Sequence, residues 1–154
     1  MTSQPPALEH VCDVDVAVDT PLAIGETGAG LRRIVAIRGG TVQGPAITGK
    51  VLDLGADFQV LRADGSSYLE ARYALDIDGH GLVYVENNGL RCGAPDVMER
   101  LARGESVDPS LIYFRSVPKF ETAAPGLQWM TRHIFIGVGT RLPDRVQLSV
   151  WMVK

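Results

Sequence analysis

The chain of 154 residues predicts an all-β protein: a small antiparallel β-barrel of about eight or nine strands with one short helix. Three observations point there. Apolar and polar residues alternate with period two along several segments, which puts them on opposite faces of a strand. The turn dipeptides Asp64-Gly65, Asp78-Gly79 and Asn88-Gly89 punctuate the middle of the chain. Connections that short join antiparallel neighbours. Only one segment has helical spacing.

Residues Met1 to Ala7 are small, polar and proline-bearing, and are expected to be disordered, leaving 8–154 as a single domain. From Leu8 the first strand begins, with Val14, Val16 and Val18 alternating against Asp13, Asp15, Ala17 and Asp19. Gly25 to Gly30 reads as a turn and Leu31 to Arg38 as the second strand. Further strands are expected at Ile47–Leu54, Phe58–Ala63, Ser66–Ile77 and Leu82–Asn87. In the third of these, Leu69, Ala71, Tyr73, Leu75 and Ile77 share one face, and Tyr68, Glu70, Arg72 and Asp76 the other. The first set should face inward, because one face of such a sheet must be wet.

Ala94 to Arg103 carries Val97, Met98 and Leu101 at helical spacing, with Pro95 in the first turn and Gly104 at the stop. Strands resume at Leu111–Ser116, Trp129–Val138 and Arg145–Val153. The runs LIYF and HIFIGV are apolar on both faces, and two dry faces suggest that part of the outer wall meets another copy of the chain. A homodimer or a higher homo-oligomer is therefore expected.

Composition narrows the function classes. The net charge of −3 draws the chain neither to nucleic acid nor to an anionic membrane. No apolar run approaches the ~20 residues that cross a bilayer, and the N-terminus lacks the basic and apolar regions of a signal peptide. A cytoplasmic location follows by default. Cys12 and Cys92 match no metal or redox spacing and read as two reduced thiols.

Gly44 to Val51 (GPAITGKV) imitates a phosphate-binding loop, but its last position offers Val51 where magnesium needs a hydroxyl. The residues after it favour a strand, whereas such a loop must open a helix. A turn entering a strand is the better reading. His10, His80 and His133 lie far apart with no ligand spacing, so no metal and no cofactor are expected.

The densest polar cluster runs from Tyr113 to His133, with Arg115, Glu121, Trp129 and Arg132. Aromatic walls with a few oriented charges suit a small-molecule pocket; an ordinary wet rim of ion pairs is the competing reading. Asp57 either holds a turn or offers a carboxylate at a barrel mouth.

The segments Gly39-Gly40, Gly44-Pro45, Gly49, Gly55–Gln59 (GADFQ), Ala63–Leu75 (ADGSSYLEARYAL), Tyr113–Thr122 (YFRSVPKFET) and Trp129 occur in an order that resembles one family. It is domain-of-unknown-function family 3237, also called uncharacterised protein family 0311. The resemblance runs from about His10 to Lys154. It departs at Phe58, where the family commonly has Trp, and at Met130-Thr131, where it commonly has Leu-Asn. Members look like compact barrels similar in build to the allene oxide cyclase and dirigent barrels, which implies a lumen for apolar, oxygenated or aromatic molecules. The family supplies no accepted catalytic residues.

The resulting expectation is a cofactor-independent lyase, isomerase or cyclase acting on a small apolar oxygenated compound; the alternative is a non-catalytic binding protein for a similar hydrophobic or aromatic ligand. Asp57 and Glu121 are the acid/base candidates, with Tyr73 a proton donor. Arg115 would stabilise an enolate or carboxylate, Trp129 and Tyr113 would form walls, and Arg72 is a lesser candidate because it lies opposite Tyr73 in the alternation.

Overall fold

The computed structural model describes residues 3–154. Ten strands follow in chain order: β1 (Leu8–Val18), β2 (Leu22–Thr27), β3 (Gly30–Gln43), β4 (Gly49–Val51), β5 (Ala56–Leu61), β6 (Ser67–Ile77), β7 (Gly81–Gly93), β8 (Ile112–Glu121), β9 (Phe135–Arg141) and β10 (Arg145–Val153). All pairings are antiparallel, and β1 pairs with both β10 and β3, which closes the sheet on itself. Eight strand positions make the barrel wall. β4 and β5 occupy successive stretches of the position between β3 and β6. β2 pairs with β3 alone, alongside the half of β3 that β1 does not reach.

The alternation predicted on β6 holds. Leu69, Tyr73, Leu75 and Ile77 are buried and Ala71 half-buried, while Tyr68 and Glu70 are exposed. The single helix α1 (Pro95–Ala102) follows β7 and turns Val97, Met98 and Leu101 onto a small core of their own with Val107. The imitation of a phosphate loop resolves as a bend at 44–46 entering β4, with no helix behind it.

Three expectations are corrected. Asn88-Gly89 is not a turn: β7 runs straight through it, because β6 and β8 pair with it on both sides as far as Arg91. Trp129 does not open a strand. Pro125–Thr131 is a 3-10 segment across one end of the barrel, and β9 starts only at Phe135. The chain from Leu22 to Thr27 forms β2, so the turn before β3 is shorter than expected. Met1 and Thr2, part of the segment expected to be disordered, lie outside the described residues; 3–7 carry no regular structure.

The two ends of the barrel differ. One is packed solid by Ile77, Val83, Val85, Phe120, Leu127, Met130 and Phe135, all buried in one cluster. Burying each large apolar side chain of this kind stabilises the fold by about 1.5–3 kcal/mol. The other end, where β5 and β7 end and β6 begins, is hollow. Outside, the apolar runs noted in the sequence leave Leu111, Tyr113, Ile134 and Val138 exposed along and just before β8 and β9, with Val117 of β8 exposed as well. Cys12 and Cys92 are free thiols. Burial pushes the Cys12 thiol up to about 12, helped by the nearby Asp13 carboxylate, so it is inert. Among the described residues no helix is long and apolar enough to cross a membrane.

Candidate functional site

The hollow end holds a cavity of about 60 Å³ with apolar walls from Val16, Val35, Ile37, Leu69, Phe114 and Leu148. A few polar side chains break the lining: Asp57, Gln59, Tyr73, Asn87, Ser116 and Arg141. Register explains each one. Asp57 pairs with Ala71 on one side and Val35 on the other, both inward residues, so its carboxylate must point in. Gln59 follows two residues later on the same face. Asn87 continues the inward series Val83, Val85 of β7, and Ser116 stands between Phe114 and Pro118 in that of β8. Gly137 and Gly139 on β9 make the room. A Cβ at Gly137 would lie 2.2 Å from Ser116 Oγ, and one at Gly139 would lie 2.7 Å from the Phe114 ring.

The Asp57 carboxylate is held on both oxygens. Gln59 Nε2 donates to Oδ2 at 2.8 Å, and the Glu70 backbone N–H donates to Oδ1 at 3.0 Å. Arg33 Nη2 in turn donates to Gln59 Oε1 at 2.8 Å, so the amide links guanidinium to carboxylate. Burial raises the Asp57 pKa above the ordinary carboxylate range; the Gln59 hydrogen bond and the charges of Arg91 and Arg33 pull against it without cancelling it. Burial also raises the Tyr73 pKa, with Cys12 and Asp57 adding to the effect, so the phenol stays protonated. The Tyr73 hydroxyl makes no hydrogen bond among the described residues.

Several buried polar atoms here are orphans. Among the described residues, Ser116 Oγ and Asn87 Oδ1 on the cavity lining, and Arg33 Nε and Arg91 Nε on the recess beside it, have no hydrogen-bond partner. Native interiors hold few such groups, because each costs about 1–3 kcal/mol; two on the lining of this cavity and two on the recess beside it mark this end of the barrel as the candidate site.

Of the residues singled out in the sequence, Asp57 and Tyr73 line this cavity. Arg115, Tyr113 and Glu121 do not: they occupy the outward phase of β8, because Phe114, Ser116, Pro118 and Phe120 take the inward one. Arg115 stacks its guanidinium over the Tyr113 ring at 5.2 Å on the outer wall, and exposed Glu121 stands beside Tyr84. Arg72 also faces outward, donating to Asn88 Oδ1 at 2.8 Å. Trp129 is half-buried at the packed end, 6.1 Å from the Phe135 ring between centroids. The expectation that the polar cluster at 113–133 shares the lumen is therefore corrected. His10 bonds Asp13 and His133 bonds the Trp129 carbonyl, and among the described residues no three potential metal ligands gather.

Sequence reasoning missed Gln59, Asn87, Ser116, Arg33, Arg91 and Arg141. A signal existed for most of them. Arg33 is in phase with Val35 and Ile37, and Asn87 and Arg91 are in phase with Val83 and Val85. A polar residue in the inward phase of a barrel strand is the mark of a lumen site.

A closed antiparallel barrel, solid at one end and lined at the other by a few unpaired polar groups, defines the class: a β-barrel built around a small internal cavity. The chain belongs to the family described as protein of unknown function (DUF3237), whose model matches residues 6–153. It is 46% identical over 150 residues to a UPF0311 protein of Rhodopseudomonas palustris, covering 96% of this chain and 98% of the relative. A UPF0311 protein of Bradyrhizobium diazoefficiens is 46% identical over 145 residues, 94% of this chain and 95% of the other. The crystal structure of a conserved protein of unknown function from Rhodopseudomonas palustris superposes with a TM-score of 0.94 at 40% identity, covering 99% of this chain and 100% of that one. An enzyme from Penicillium herquei shares the fold, with a TM-score of 0.75 at 16% identity over 100% of this chain and 98% of its own.

Proposed function

We propose that the barrel takes a small, largely apolar oxygenated compound into its lumen and isomerises or cyclises it without a cofactor, with Asp57 as the proton-transfer group. The observation that carries this reading is a carboxylate set among apolar walls and held toward the protonated form, beside the phenol of Tyr73 on the neighbouring strand, which makes no hydrogen bond among the described residues. A base works best when its pKa lies near the operating pH, and burial moves Asp57 in that direction. In the reaction, the Asp57 carboxylate takes a proton from carbon or hydroxyl, and the Tyr73 hydroxyl hydrogen-bonds the oxygen that gains charge. The proton then returns from Asp57 to another atom of the same molecule, so no redox partner is consumed. Arg141, which lines the cavity, supplies the positive field that the sequence had suggested for Arg115. The Penicillium herquei neighbour is an enzyme on this fold, which makes catalysis by such a barrel reasonable by analogy only.

The test is incubation of wild type and Asp57→Asn with a small-molecule extract of a bacterium that carries a relative, followed by chromatography with mass detection. The proposal expects a compound that changes retention at unchanged mass with wild type. Asp57→Asn should hold the same compound without converting it, because the amide keeps the shape but cannot accept the proton. Retention without conversion by both proteins would replace the enzyme with a carrier, for which Asn87 and Ser116 are sufficient anchors. Conversion by both proteins would remove Asp57 from the chemistry.

A further inference from the structure

Three arginines crowd the hollow mouth. Arg33 on β3, Arg91 on β7 and Arg141 on β9 line a second cavity of about 240 Å³ just outside the first. Pro21, Leu61 and Pro143 form apolar walls, with Met98 and Leu101 of α1 as a roof; Thr20, Ser67 and a fourth arginine, the exposed Arg103 that pairs with Glu105 at 3.3 Å, complete the rim. Arg141 lines both cavities, so its side chain stands between the two.

Arg91 is the unusual member. It is only 3% exposed, and its Nε has no hydrogen-bond partner among the described residues. Its guanidinium lies 5.5 Å from the Phe114 ring centroid, and no carboxylate forms an ion pair with it. Burial lowers its pKa to about 10 against the pull of Asp57, and Arg141 and Arg33 push it the same way; it remains charged at neutral pH. Arg33 Nε is unpaired as well, and burial together with the field of Arg33 lowers Arg141. Arg141 donates to the Leu142 and Arg145 carbonyls and Arg33 to Gln59, but among the described residues none of the three forms an ion pair with a carboxylate, and bringing such charges together in a recess is costly in an isolated fold.

The acidic groups that act on the cluster are two. Asp57 is felt by all three arginines, and Asp144 by Arg141. Asp144 is itself paired with Arg145 at 3.3 Å, and Arg103 at the rim is balanced by Glu105, so Arg33, Arg91 and Arg141 together keep at least one uncompensated positive charge. From this charge, the orphaned Nε atoms and the apolar walls, we infer that the mouth is a carboxylate site, and that the substrate is an organic monoacid whose carboxylate sits on Arg33, Arg91 and Arg141 while its apolar body enters the lumen. Guanidinium matches a carboxylate with paired N–H donors, and its weak hydration makes it the cation suited to a buried anion site. A free inorganic anion would not need the apolar roof of α1. The assignment of the acid to the substrate rests on the lumen reading above, whereas the anion site stands on the arginines alone.

The test uses the full chain labelled with nitrogen-15 and three probes: benzoate, its neutral counterpart benzyl alcohol, and inorganic phosphate. Titration is followed through the Arg Nε–Hε signals and by calorimetry. Benzoate should shift the signals of Arg33 and Arg91 saturably and bind at least tenfold tighter than benzyl alcohol. Arg91→Met, which keeps an unbranched apolar stem in the pocket, should lose tenfold or more in benzoate affinity and leave any benzyl alcohol binding unchanged. Should Arg91→Met fail to fold, Arg141→Met serves the same comparison from the rim. Phosphate binding equal to that of benzoate would overturn the organic acid, as would benzyl alcohol binding equally well. No saturable shift at Arg33 or Arg91 with any probe would overturn the anion site itself. These readouts do not involve turnover: a chain that binds benzoate here but converts nothing refutes only the catalytic reading, and one that converts a neutral compound but ignores benzoate refutes only this one.

Discussion

Removing the hydroxyl of Ser116 should make the protein more stable. Ser116 is 4% exposed and its Oγ has no hydrogen-bond partner among the described residues. A hydroxyl buried without a hydrogen bond costs about 1–3 kcal/mol relative to water. Ser116→Ala deletes the oxygen and keeps the Cβ, and the packing it loses is small because the oxygen borders a cavity. The expected gain is about 1 kcal/mol, which raises Tm by roughly 2–4 °C in a domain of this size. Neighbouring Gly137 supplies the control. A Cβ there would lie 2.2 Å from Ser116 Oγ and 2.8 Å from Leu148 Cδ1, so Gly137→Ala alone should destabilise. In the Ser116→Ala background the closest clash is gone, and the penalty should shrink by about 0.5–3 kcal/mol, the usual range for coupled neighbours. Urea unfolding of the four proteins measures the whole cycle. A Ser116→Ala protein that is less stable than wild type, or a cycle with no coupling, would refute the reasoning that the lumen keeps an unpaired hydroxyl.

The Asp57 carboxyl titrates higher in the folded protein than at the ordinary value of 3.8, so the folded state takes up its proton first as pH falls. Its contribution to stability is complete below the unfolded value and is lost as pH rises through the folded one, so the stability of wild type minus that of Asp57→Asn should decline with rising pH; urea midpoints between about pH 4 and pH 8 check the sign. The exposed Tyr113, Val117, Ile134 and Val138 should form a contact between two copies, with light scattering giving a dimer for wild type and a monomer for Val117→Lys/Val138→Lys. Glu121→Gln, on the outer wall, should leave both stability and lumen binding unchanged within about 0.5 kcal/mol.

Much of the architecture was legible in the sequence because a half-wet strand writes its orientation into alternate residues. β6 is the clearest case, with Tyr73 and Leu75 inside and Glu70 outside. The site was legible only in part. Asp57 and Tyr73 lie in well-marked strands and were found. Arg91 was hidden by a turn signal: Asn88-Gly89 favours a hairpin locally, but two flanking strands supply the backbone partners that carry β7 past it. Once that strand was cut short, the inward phase running from Val83 to Arg91 could not be seen. The cluster around Arg115 and Glu121 misled for the opposite reason. Charges crowded in sequence on a single strand alternate with its apolar residues, and on β8 the apolar phase is the inner one. Arg33, Arg91 and Arg141 come from three strands far apart in the chain, so only closure of the barrel brings them together.

The central claim, that the lumen is a ligand site rather than a packing defect, can be tested by filling it. Ala71 lines the cavity between Leu69 and Tyr73 on β6, and Ala71→Phe would occupy the space that a ligand needs. Wild type and Ala71→Phe are dialysed to equilibrium against the same bacterial small-molecule extract, and the compounds retained by each are identified by mass spectrometry. The account predicts that wild type enriches a small set of apolar oxygenated acids and that folded Ala71→Phe enriches none of them. Equal enrichment by the two proteins, or no enrichment by wild type, would contradict it.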